Sequence, residues 1–157
     1  MNAIKTLNRK KTNPFQQVFT GTKYTNETFV QLFTYNNNNC QEEAEYSLEK
    51  FQGFTDANSK YWLNIHGLHD VDKITNLCTK LNIHNLVIQD ILDVNQRPKF
   101  EEYEDYCFFT IKSVLPPHNN TVELEQLSFI LGSNFLLSLQ EKKADYFGHV
   151  RHRLREK

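Results

Sequence analysis

A chain of 157 residues with 39% hydrophobic and 13% aromatic side chains, 12 Phe and 7 Tyr among them, is long enough for one packed core and too apolar to remain disordered. With 18 Lys and Arg against 19 Asp and Glu, its net charge of −1 offers no field for a polyanion, which argues against nucleic acid as a partner. Cys40, Cys78 and Cys107 are too few and too scattered for a disulfide framework or a four-thiolate zinc site; they are expected to form no disulfide, with Cys78 and Cys107 packed inside as small apolar groups, as in a reducing compartment.

Residues 1–14 carry Lys5, Arg9, Lys10 and Lys11 without the apolar run of a signal peptide, and are expected to form a flexible tail ahead of one domain at 15–157. The β-prone runs 17–21 (QVFTG) and 28–35 (TFVQLFTY) are predicted as a first strand pair. The asparagine run 36–39 predicts a turn, and 42–50 a short helix. Residues 61–65 (YWLNI) read as a strand that ends before Gly67, with Asp70 placed to cap the next helix. Val71, Ile74, Leu77, Cys78 and Leu81 then recur at helical spacing.

A second helix over 84–93 is predicted to send Leu86, Val87, Ile91 and Val94 into the same interior, and Arg97-Pro98 ends it. Residues 106–115, 122–131 and 135–140 are predicted strands of an antiparallel meander, joined through a turn at 116–120 and Gly132-Ser133-Asn134. Apolar residues on both faces of these strands call for helices on both sides of the sheet. The last predicted helix runs from 145 to the end, with Phe147, Val150 and Leu154 on one side and arginines around it. Its uncapped end leads to the expectation that the natural protein continues. The most apolar stretch, 127–139, falls short of the ~20 residues that span a bilayer.

Three clusters carry possible chemistry. His66, His69, Asp70 and Asp72 have the residue types of a metal-dependent hydrolase, in which imidazoles and carboxylates hold an ion that activates water. The simpler reading is a strand-to-helix turn in which Asp70 caps and Asp72 faces the helix dipole. His149 and His152 are interleaved with Arg151, Arg153 and Arg155, which would repel a cation; a solvated basic face fits better. Glu101, Glu102, Glu104 and Asp105 form an acidic run of the kind that binds hard cations, though such runs are usually solvated. No P-loop, EF-hand, dinucleotide fingerprint or nucleophile elbow occurs. From the residues alone the chain is a mixed α/β domain.

Residues 83–101, IHNLVIQDILDVNQRPKFE, resemble the "IHPLVLEDIL…QRPK" segment of CorA-type magnesium and cobalt transporters, and the similarity extends to 62–70, 125–131, 139–141 and 145–155. The resemblance implies the family's N-terminal cytoplasmic domain: an α/β/α sandwich with a mixed parallel/antiparallel sheet and helices on both faces. It implies an ion-sensing domain of a channel-type transporter and no enzyme, with a stalk helix, two membrane helices and the filter loop lying beyond this chain. A stand-alone interaction module is a further alternative.

The resemblance implies a homopentamer at the cytoplasmic face of the inner membrane, with divalent cations as ligands and attachment to the membrane through the missing C-terminal part. It also implies weak, regulatory Mg2+ at the protomer interface, with Asp90 as the candidate ligand shared with a neighbouring subunit; the isolated domain is expected to bind the ion weakly or not at all, because the partner carboxylate belongs to the stalk helix beyond this chain. Asp90 is expected to be exposed near a helix end. Gln89 stands where the family commonly has glutamate, which puts a second adjoining site in doubt; Asn85 stands where it often has proline, and Asp93 is expected to be a solvated helix-end acid.

Overall fold

The computed structural model describes residues 16–114 and 124–156. Among the described residues seven strands form one sheet: β1 (Phe29–Tyr35), β2 (Cys40–Glu43), β3 (Lys60–His66), β4 (Lys99–Glu102), β5 (Tyr106–Val114), β6 (Leu124–Gly132) and β7 (Phe135–Gln140), in the order β2-β1-β3-β7-β6-β5-β4. Every junction is antiparallel except β3–β7, where Tyr61 to His66 run parallel to Phe135 to Gln140. The helices among these residues are α1 (Val71–Lys80), α2 (Asn85–Leu92) and α3 (Gly148–Arg155), with a 3-10 turn at Leu48–Lys50. No helix among the described residues is long and apolar enough to cross a membrane.

Alternation along the strands separates two apolar layers. Val30, Leu32, Leu63, Ile65, Phe108, Ile130, Leu137 and Leu139 share a core with Ile74, Leu77 and Cys78 of α1 and Val87, Ile88, Ile91 and Leu92 of α2. The other face carries Phe33 stacked on Trp62, at a centroid separation of 5.2 Å. There Phe147, at the N-cap of α3, meets Trp62 and Phe129 edge-on at 5.7 and 6.0 Å. The result is the expected α/β/α arrangement, with α1 and α2 on one side and α3 on the other.

Several local expectations are corrected. Residues 17–21 form no strand; Thr20 instead donates its backbone N–H to the Leu92 carbonyl at 3.0 Å, following the end of α2. β1 pairs instead with β3 on one side and on the other with β2, which overlaps the start of the segment expected to be helical. The asparagine run explains this, since Asn36 Oδ1 accepts the N–H groups of Asn38 and Asn39 and turns the chain back on itself. Leu86 is 53% exposed, because α2 buries the stripe of Val87, Ile88, Ile91 and Leu92 and its first turn points Leu86 away.

Cys78 is buried as expected, whereas Cys107 is half-buried: the odd positions of β5 face the side that α3 covers only in part. Val150 is exposed, and in α3 it is Arg151 that is buried. Residue 115, the predicted turn at 116–120 and the start of the 122–131 strand lie outside the described residues.

Candidate metal centre

The histidine–aspartate cluster is used structurally. Asp70 Oδ1 accepts the Lys73 N–H at 3.2 Å as the N-cap of α1, its other oxygen lies 3.3 Å from Lys73 Nζ, and Asp72 is exposed in the first turn. His66 sits at the end of β3 on the α3 side, where burial, with Arg151 and Lys143 adding to it, pushes its pKa down to about 4. Among the described residues, no three His, Cys, Asp or Glu side chains gather into a metal-holding group. On α3, His149 and His152 are exposed, and His152 Nε2 lies 3.1 Å from Glu156. Arg151 pairs with Asp145, and Arg155 makes two bonds to Glu42 at 2.6 and 2.8 Å.

Asp90 occupies the last turn of α2, where His84 starts the helix by accepting the Leu86 N–H on Nδ1 at 3.2 Å. Asn85 is the first helical residue, the position that suits proline best. The expectation that Asp90 is exposed is corrected: its side chain is only 15% exposed and is ion-paired with Lys99 from β4. The cause is the layering, which lays α2 over the sheet end where Lys99 and Glu101 share one face of β4. Lys99 Nζ also reaches Glu101 Oε1 at 3.0 Å, and Glu101 Oε2 accepts the Tyr103 hydroxyl at 3.0 Å. Of the acidic run, Glu101 alone turns to this cluster, while Glu102, Glu104 and Asp105 are exposed.

Two carboxylates on one ammonium leave a local charge of −1 when all three groups are ionised. Burial raises the Asp90 pKa against the pull of Lys99, with Glu101 and Asp93 adding to the rise. Lys99 is held above the usual lysine range, because its bonds to Asp90 and Glu101 outweigh the burial that opposes them. Its bond to Lys99 lowers Glu101, while burial and the bond to Glu101 push Tyr103 up to about 12.

Asp93 is the C-cap residue of α2 and no merely solvated acid. It accepts the Thr20 hydroxyl at 2.9 Å, the Asn95 N–H at 3.2 Å and the Gln96 side-chain amide at 3.0 Å. Gln126 Nε2, from β6, donates to the carbonyls of Asp90 and Asp93 at 3.1 and 3.3 Å and so anchors the end of the helix to the sheet. Lys99, Tyr103 and Gln126 are the members of this site that the sequence did not single out. Only the alternation of Lys99, Glu101 and Tyr103 beside the Asp90 segment hints that they share a face.

The model of the family described as "CorA-like Mg2+ transporter protein" matches residues 57–157. A cobalt/magnesium transport protein CorA from Thermotoga maritima is 37% identical over 148 residues, which cover 94% of this chain and 42% of that protein. This chain therefore spans under half the length of that relative. The soluble domain of CorA from Methanocaldococcus jannaschii superimposes with a TM-score of 0.55 at 19% identity, over 80% of this chain and 46% of that one. The ZntB cytoplasmic domain from Vibrio parahaemolyticus does so with a TM-score of 0.60 at 12% identity, over 80% and 50%. At such identities these two structures establish the fold alone. The match of the family model across residues 57–157 establishes more: the chain belongs to the CorA-like Mg2+ transporter family.

Proposed function

We propose that this chain is the cytoplasmic, ion-sensing domain of a divalent-cation transporter of the magnesium and cobalt type, and that it works as a regulator and not as an enzyme. The observation that carries the reading is the cluster at the end of α2, where Asp90 and Glu101 are drawn to a single cation, the ammonium of Lys99. Oxygen anions of this kind suit Mg2+, which keeps most of its waters and takes one or two carboxylates. Support for the cargo comes from the relative named a cobalt/magnesium transport protein.

In this reading Asp90 is one ligand of a regulatory Mg2+ shared with a neighbouring subunit of a homopentamer at the inner face of the membrane. Residues 15–157 form the regulatory unit. Gln89 withholds the charge that a second adjoining ion would need. At a free ion concentration equal to its dissociation constant each site favours the bound state by RT ln 2, about 0.4 kcal/mol, and five sites by about 2 kcal/mol. That biases a closed assembly without locking it.

The test is Asp90→Asn in the full-length transporter, read as current against cytoplasmic Mg2+. The amide keeps the shape and one oxygen and loses the charge, so inhibition should shift to higher Mg2+. Superimposable wild-type and variant curves would remove Asp90 from sensing.

A further inference from the structure

We propose that Lys99 is a tethered cation that competes with divalent ions for Asp90 and Glu101, so that an ion binds there only as the ammonium leaves. This rests on the reading of Asp90 as a ligand and adds what sets its affinity. Lys99 bonds to both carboxylates at once, occupying the position between them that an incoming cation would take. With the ammonium in place, a divalent ion meets a site of charge −1 that already holds a positive neighbour; with it gone, the two carboxylates present −2.

The way out is open. β4 is the four-residue edge strand of the sheet, and the Lys99 side chain is 27% exposed, so its flexible stem can turn to solvent without breaking a strand hydrogen bond. The ammonium also lies 5.5 Å from the centre of the Phe108 ring, which helps to hold it in the absence of an ion. The exchange is cation for cation: one ammonium goes to water, one hydrated Mg2+ comes in, and no proton is transferred. Affinity is thereby set low, as an abundant ion requires of its sensor.

The full-length transporter, in which a neighbouring subunit completes the site, is titrated with MgCl2 at constant ionic strength by calorimetry, as wild type, Lys99→Met, Lys99→Arg and the double variant Lys99→Met/Asp90→Asn. Methionine keeps the length and the packing on Phe108 without the charge. Lys99→Met is expected to bind Mg2+ at least about tenfold more tightly than wild type, Lys99→Arg about as wild type, and the double variant to lose the gain. A folded Lys99→Met with wild-type affinity overturns the competition and leaves the Asp90 reading to the current measurement. A gain that survives in the double variant places the ion elsewhere and overturns the Asp90 reading as well. If neither Lys99→Met nor a reserve Lys99→Gln folds, by far-ultraviolet circular dichroism, the ammonium is indispensable to the fold and cannot leave, which also overturns the proposal.

Discussion

The Trp62 indole donates to the Ser138 hydroxyl at 2.8 Å across the one parallel junction of the sheet, and Ser138 passes a hydrogen bond on to Asn64 Oδ1 at 2.9 Å. The hydroxyl serves two buried groups at once. Ser138→Ala leaves both without their partner and should cost about 2–4 kcal/mol, measured by urea unfolding. Trp62→Phe removes one of those groups beforehand, so Ser138→Ala in that background should cost less; strict additivity would show that the two residues are not coupled.

His66 makes stability depend on pH. Its pKa is about 4 in the folded chain, against an ordinary 6.5 that the unfolded chain regains. Between these values the unfolded state takes up a proton that the folded state refuses, so stability is complete above pH 6.5 and declines as the pH falls toward 4. Discounted for the solvent that reaches the ring, the loss should be roughly 1–2 kcal/mol. His66→Gln should flatten the profile between pH 7 and 5; an unchanged slope would assign the dependence to other groups.

The three thiols should differ in reactivity. Cys78 is fully buried, and burial pushes its pKa up to about 12, whereas Cys40 and Cys107 are half-buried. Ellman's reagent should label two thiols of the native protein within minutes and the third only at the rate of global opening, with all three reacting in denaturant. Three equally fast thiols would contradict the placement of Cys78.

Asp70 separates capping from metal binding. Asp70→Ala should cost about 1 kcal/mol through the lost bond to the Lys73 N–H, and Asp70→Asn much less, since asparagine caps as well. Thermal melts with and without zinc should give the same ranking; stabilisation by zinc that Asp70→Asn abolishes would restore the hydrolase reading.

The elements with a strong period were legible in the sequence. Ile74, Leu77 and Cys78 mark α1 by spacing alone, and the alternating apolar residues of β5 mark a central strand. The β2 segment, CQEE, was not legible, because a cysteine and three polar residues carry no strand signal and are recruited only through the Asn36 turn. Asp90 was found through the family-like segment around it and its partner Lys99 was not, since the pair joins a helix to an edge strand. Only the folded layering brings them together.

The single parallel junction also orders the assembly of the molecule. β1 pairs with β2 through a short turn and β5, β6 and β7 pair as successive neighbours, whereas Trp62 and Ser138 are 76 residues apart in sequence. The pairings within each half, β1 with β3 included, join residues closer in sequence than the seam does, so the seam carries the longest closure and the largest entropic cost. The halves are therefore expected to form early and the seam late. Ser138→Ala should then speed unfolding while leaving the folding rate nearly unchanged, and a mainly slowed folding rate would place the seam in the nucleus. The sheet is two leaves bound along one spine and roofed by a single core that α1 and α2 lay over both, so the spine and that roof hold the domain together.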